Sequence, residues 1–172
     1  MPEERKAQAI LPDLSVTDNL HVGRYRLFSR MGLLSRRRLR RRTVELVRDF
    51  NIRLARVSQP IATLSGGNQQ KAVVARCVQS EPRLLVVAEP TRGVDIGAKD
   101  EIHRRIIGLA AKGTAIIVVS SELDEVLALS HRVAVFSAGR LVGVLEKTSA
   151  TPERVMRLAT PGSREGGLRV AV

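Results

Sequence analysis

The chain has 172 residues, a formal net charge of +12, 44% hydrophobic and 2% aromatic residues, and a single cysteine, Cys77. That length allows one domain of ordinary size with a core of Leu, Val, Ile and Ala, and one cysteine excludes an internal disulfide. No apolar run approaches a membrane-spanning helix, and the charged start Glu3-Glu4-Arg5-Lys6 is unlike a signal peptide, so the chain reads as soluble and cytoplasmic.

In chain order, Ser15 or Thr17 can cap a short helix through Asn19 and Leu20, and Gly23 to Gly32 reads as an irregular connection. The block Arg36-Arg37-Arg38-Leu39-Arg40-Arg41-Arg42 begins an amphipathic helix, because Leu39, Thr43, Leu46, Val47 and Phe50 share one face. The arginines outside that face leave three readings open: a solvated surface, an anionic membrane, or nucleic acid. No aromatic residues alternate with them, which counts against single-stranded nucleic acid. Pro60 ends this mostly helical part.

From Ile61 strands and helices alternate. Ser65-Gly66-Gly67 opens a helix to about Gln79, in which Cys77 reads as a small buried hydrophobe. Leu84–Ala88 and Ala115–Val119 are continuous apolar runs that predict strands buried on both faces. Between them a helix is expected from Ala98 to Lys112, with Asp100 and Glu101 in its first turn and Lys112 in its last. Ser121 and Asp124 resemble a capping box before a short helix. Arg132–Phe136 and Arg140–Val144 read as a hairpin turning at Ala138-Gly139, followed by a helix over Pro152–Leu158 and a glycine-containing tail expected to be disordered. The alternation predicts an α/β domain with a mostly parallel sheet.

Two segments carry chemistry. In Ser65-Gly66-Gly67-Asn68 the glycines let a ligand approach the backbone, and the N–H groups of a helix start present positive charge to it. Alone, Ser65-Gly66-Gly67 reads better as an ordinary serine-capped helix. The second segment is Glu89-Pro90-Thr91-Arg92-Gly93-Val94-Asp95. Glu89 closes an apolar strand at the end where α/β folds bind ligands, placed to polarise a water for attack on phosphorus. Pro90 and Gly93 turn the chain so that Asp95 projects outward.

Together these segments resemble a known family. Leu64–Gly67 is similar to the signature motif of ABC ATPases, and Glu89 to Asp95 to the end of their Walker B strand plus the D-loop. The longer string through Lys71, with Gly97-Ala98-Lys99, resembles the second ATPase domain of monosaccharide importers of the ribose, xylose and galactose type. Val119–Val126 fits that same domain, with Ser121 where other members carry a switch histidine. Pro2–Lys6 followed by Leu14–Asn19 resembles the Q-loop region and the segment after it, Glu3 standing where glutamine is usual. The resemblance runs from Pro2 to about Thr160.

The chain departs from the family in three places. No glycine is followed by lysine, so the phosphate-binding loop G-x-x-x-x-G-K-[ST] is absent; Ala88 replaces the Walker B aspartate; and His131 precedes Arg132 where aspartate is usual. The resemblance therefore implies a partial ABC-type P-loop NTPase fold whose N-terminal phosphate-loop part is missing. Residues 1–60 would form a Q-loop remnant and helical subdomain, 61–160 the C-terminal part of the ATPase core, and 161–172 the tail. It implies a truncated ATP-binding component of a sugar importer, inactive alone, with Glu89 as catalytic residue. Ser65, Gly66, Gly67, Asn68, Asp95, Ser121 and Glu3 would contact ATP in a site shared in trans, while Ala88 counts against Mg2+. The implied partners are a second ABC ATPase domain, membrane permease subunits and, indirectly, a sugar-binding protein outside the membrane, with no nucleic acid. The implied location is the inner face of the cell membrane. The alternative is a non-enzymatic module that binds permease or membrane.

Overall fold

Ser15 caps the first helix, α1 (Val16–His21), its Oγ accepting from the Asp18 N–H at 3.0 Å. The computed structural model describes residues 9–160, so the expectations for Glu3 and for the tail 161–172 lie outside the described residues. The chain divides into two units, Met1–Ile117 and Val118–Val172.

In the first unit, buried Asn19 organises the entry to α1. Its Oδ1 accepts from the Leu11 N–H at 2.8 Å, and its Nδ2 donates to the carbonyls of Leu11, Leu14 and Ser15. After α1, strands β1 (Ser29–Arg30) and β2 (Leu33–Leu34) form a small antiparallel hairpin. Met31 and Gly32 turn it with φ of 50° and 80°, the left-handed pair that a tight hairpin requires. Ser35 then caps α2 (Arg36–Asp49) through the Arg38 N–H. The apolar face read from sequence faces inward: Leu39, Thr43 and Leu46 are buried, and Val47 and Phe50 pack against the core. That core joins Val16 and Leu20 of α1 to Ile61, Ala72, Val73 and Ala75.

His21 is fully buried between these elements. The Thr43 hydroxyl gives its only proton to the Leu39 carbonyl at 2.9 Å, so His21 Nε2, 3.0 Å away, must donate to Thr43 Oγ1. Burial, aided by the charge of Arg42, holds the imidazole pKa down at about 4. The unfolded chain, with an ordinary histidine, binds the proton first as pH falls. Stability from a neutral His21 is therefore complete above about pH 6.5 and drains away down to about pH 4, by up to about 3 kcal/mol. Urea unfolding at pH 7.5 and 4.5 should show this loss in the native chain and a smaller one in His21→Gln; equal losses would refute it.

Next come α3 (Gly66–Val78), β3 (Leu84–Ala88), α4 (Ile96–Ala111) and β4 (Ala115–Val119), with β3 and β4 in one two-stranded sheet. The Ala115 N–H donates to the Arg83 carbonyl at 3.0 Å, which sets the two strand starts side by side. Three sequence expectations need correction. Neither strand is buried on both faces: Leu85 and Val87 are buried, but Leu84 is 54% exposed, Val86 44% and Ile117 49%. An apolar run reports a strand and not how many faces are covered. The helix after β3 starts at Ile96, so Asp100 and Glu101 lie beyond its first turn. Asp95 is its cap, accepting from the Ala98 N–H at 2.9 Å, and Gly97, a poor helix former, hid the true start. Cys77 is half-buried.

In the second unit α5 (Leu123–Leu129) starts after Glu122 without a side-chain cap. The cap position expected at Ser121 falls on Glu122 instead, and Ser120 Oγ accepts from the Glu122 N–H at 3.1 Å. Strands β5 (Arg132–Ser137) and β6 (Arg140–Glu146) pair as the expected hairpin, with left-handed Ala138 and Gly139 at the turn. Helix α6 (Pro152–Ala159), capped by Thr151, closes over it, and Val133, Val135, Leu145 and Val155 form the core.

Candidate functional site

The site begins at the N-terminus of α3. Buried Leu64 anchors the loop, and Gln69 Nε2 donates to the carbonyls of Ile61 and Leu64 from within the helix. Ser65 occupies the cap position and is exposed, yet its side chain makes no capping bond. Ser15, Ser35, Asp95 and Thr151 at the starts of α1, α2, α4 and α6 all do. Ser65 Oγ instead accepts from Asn68 Nδ2 at 2.9 Å, and Asn68 Oδ1 accepts from the Arg53 N–H at 2.8 Å. The hydroxyl proton of Ser65 and the first-turn N–H groups are thus left to an incoming acceptor.

Two contacts fasten this helix start to the segment after β3. Gln70 Nε2 donates to the Pro90 carbonyl at 2.7 Å. Gly67 lies against the cap of α4: a Cβ there would stand 2.6 Å from Ala98 Cβ and 3.4 Å from Asp95 Oδ2. Only glycine allows the two helix starts to meet so closely. Ser65, Gly66, Gly67 and Asn68 are therefore brought together with Asp95, which is exposed but spends Oδ1 on its own helix. Glu89 is half-buried at the end of β3 with φ of 47°, so the chain leaves the strand through a left-handed residue that is not glycine.

One turn into α3, buried Lys71 forms an ion pair with Glu101 of α4 and donates to the Asn51 carbonyl at 3.1 Å. Asn51 Nδ2 completes the triangle, donating to Glu101 Oε1 at 3.0 Å. The hydrogen bond from Lys71 holds the Glu101 carboxyl below its ordinary pKa. Sequence reasoning had named neither Gln70 nor Lys71 as site-building residues, although both stand inside the string that carried the resemblance.

Among the described residues the donor set does not make a seat for magnesium. Ala88 brings no oxygen to the end of β3, Glu89 is the carboxylate there, and Asp95 is engaged as a cap. A phosphate fits the start of α3 better, since Ser65 and the helix's first N–H groups can donate to it, while the Asp95 carboxylate beside Gly67 faces its own helix cap. Ser121 is exposed and belongs to the second unit, and Glu3 lies outside the described residues.

Residues 4–92, more than half of the chain, match the family model described as ABC transporter. The chain is 48% identical over 162 residues to a ribose import ATP-binding protein of Rubrobacter xylanophilus, covering 94% of this chain and 32% of that protein. It is 42% identical over 160 residues to one of Streptomyces coelicolor, covering 93% and 32%. It thus spans about a third of the length of these curated relatives. Among solved structures it resembles a dimeric ATP-binding cassette in a post-hydrolysis state bound to ADP and Pi. The TM-score is 0.67 at 20% identity, with 81% of this chain and 60% of that one covered. A second ATP-binding cassette of an ABC transporter gives a TM-score of 0.67 at 20% identity over 86% of this chain and 63% of that one. At such identities the likeness shows the fold, an α/β ABC cassette present in part.

Proposed function

Because the chain belongs to the ABC transporter family, we propose that it forms part of the ATP-binding component of a sugar importer. Its string Leu64–Lys71, with Glu89–Asp95 and Val119–Val126, supports placing it in the C-terminal part of the second ATPase domain. Residues 1–60 then supply the Q-loop remnant and helical subdomain, and 61–160 the rest of the core. A partner ATPase domain holds ATP on its own phosphate loop, and this chain closes over the γ-phosphate. Ser65 donates its hydroxyl, Gly66 and Gly67 their N–H groups, and Asn68 fixes Ser65. Asp95 buttresses Gly67 from the start of α4, while Ser121 and Glu3 contribute from the flanking segments. Glu89 is the residue that polarises water when a complete site is assembled. The component works at the inner face of the membrane beside permease subunits, which receive sugar from a binding protein.

The observation that carries this reading is the exposed Ser65, which alone among these serine, aspartate and threonine cap residues withholds its side chain from its own helix. Alone, the chain should bind Mg-ATP too weakly for a stoichiometric calorimetric isotherm and should not turn it over. Mixed with a hydrolysis-deficient ATPase domain that carries a phosphate loop, it should associate only when ATP is added. Ser65→Asp sets a carboxylate against phosphate and should weaken that association on the order of 100-fold by like-charge repulsion. Association without ATP, or unchanged association by Ser65→Asp, would refute the shared site.

A further inference from the structure

The arginine cluster is not used by the site. Arg36, Arg37, Arg40, Arg41, Val44 and Glu45 line one shallow surface on the outside of α2, turned away from buried Leu39, Thr43 and Leu46. The first turn of α2 holds no acidic residue, so its arginines lie at the positive end of the helix dipole, where cations repel. Nearby acid is scarce: Arg41 and Arg42 both pair with the same Glu45, at 3.1 and 3.2 Å. Among the described residues no ion pair reaches Arg36, Arg37 or Arg40.

The hairpin that leads into this helix adds a second, independent feature. Its tip and flanks expose large apolar side chains: Met31 is 94% exposed, Leu33 78% and Leu27 64%. Arg38 Nη2 donates to the Leu27 carbonyl at 3.4 Å, and Ser35 N–H to the Phe28 carbonyl at 2.9 Å, so the base of the apolar hairpin is tied to the basic helix start. A solvated charged face has no use for bare Met and Leu at its edge.

We propose that hairpin β1–β2 and the outer face of α2 dock directly on an anionic lipid bilayer. Met31, Leu33 and Leu27 enter the headgroup region, and Arg30, Arg36, Arg37, Arg40 and Arg41 meet lipid phosphates. Charge complementarity selects this occupant: the surface carries the arginines Arg36, Arg37, Arg40 and Arg41 against the single carboxylate of Glu45, and each basic residue near an anionic membrane strengthens binding several-fold. The absence of aromatic residues among the arginines disfavours single-stranded nucleic acid, and the apolar hairpin tip has no counterpart on a duplex backbone. An acidic protein surface would satisfy the arginines but not an apolar tip at their edge.

Vesicle flotation tests this with the 172-residue chain, because floating vesicles separate bound protein from aggregates. The chain should float with vesicles of 30% phosphatidylglycerol in phosphatidylcholine at low salt, and not with pure phosphatidylcholine. Arg36→Gln/Arg37→Gln/Arg40→Gln should weaken binding on the order of 100-fold. Met31→Ser/Leu33→Ser should weaken it while leaving its salt dependence in place. Arg83→Gln/Arg104→Gln/Arg105→Gln, which removes as many charges from residues outside α2, serves as the control, and circular dichroism establishes that each variant is folded. Three results would each overturn the proposal: equal flotation with neutral vesicles, α2 variants no weaker than that control, and duplex DNA competing fully with the vesicles at equal phosphate.

Discussion

In a chimera that joins the phosphate-loop segment of a related ATPase domain to this chain, Ala88→Asp is expected to raise ATP turnover, and Glu89→Gln in that background to lower it by about 10²- to 10⁴-fold. The size of the second effect follows from chemistry. Glutamine keeps the shape and hydrogen bonding of Glu89 but cannot polarise or deprotonate a water. ATP affinity should survive, because the phosphate contacts come from the added loop and from the start of α3. The first effect follows from the end of β3, where Ala88 offers no oxygen beside Glu89. Steady-state turnover and nucleotide affinity of the four combinations give the answer. An Ala88→Asp chimera whose activity ignores Glu89→Gln would remove Glu89 from the chemistry. If Ala88→Asp restores nothing while ATP still binds, the site is a degenerate one whose Ser65–Asn68 loop serves only a partner.

Lys71→Met is expected to destabilise the chain by about 3–5 kcal/mol, the usual cost of stranding one member of a buried ion pair. Lys71 is nearly enclosed, with 8% of its side chain exposed against 26% for Glu101, so the low end of that range applies. Glu101 would then keep the Asn51 amide as a donor and the more distant charge of Arg104. Because Lys71 holds the Glu101 pKa below its ordinary value, the pair stabilises the fold above about pH 4.5 and fades as pH falls through the lowered value. Lys71→Met/Glu101→Leu should regain most of the loss, since an apolar pair of similar volume replaces a buried ionic one at little cost. Urea midpoints of the single and double variants measure this. A loss under about 1 kcal/mol in Lys71→Met would mean the pair is effectively solvated.

Much of this was readable from local chemistry. The arginine-rich helix betrayed its inner face through Leu39, Thr43 and Leu46, and the β5–β6 hairpin its turn through Ala138-Gly139. The ATPase resemblance rested on Ser65–Asn68 and Glu89–Asp95, which the fold does bring together in one unit. What local pattern could not supply was what lies across space. The exposure of Leu84 and Val86 depends on which neighbours cover β3, and the run Leu84–Ala88 is apolar either way. The start of α4 was misplaced because Gly97 argues against helix while the cap of Asp95 decides for it. Gln70, Lys71 and Asn51 looked like ordinary polar residues because their partners, Pro90 and Glu101, are distant in the sequence.

The meeting of Gly67 with Ala98 has a consequence for how such sequences can vary. The two positions share a single volume: a methyl group at one requires its absence at the other, because their Cβ atoms would otherwise stand 2.6 Å apart. Substitution at 67 and 98 is therefore a joint choice. An exchange to alanine at 67 and glycine at 98 fills the same space, but it moves the flexible residue from the start of α3 into the first turn of α4, where it loosens the helix that Asp95 caps. Drift at position 98 is thus constrained by a residue on another helix, and tolerance measured one site at a time would mistake that shared constraint for two separate ones.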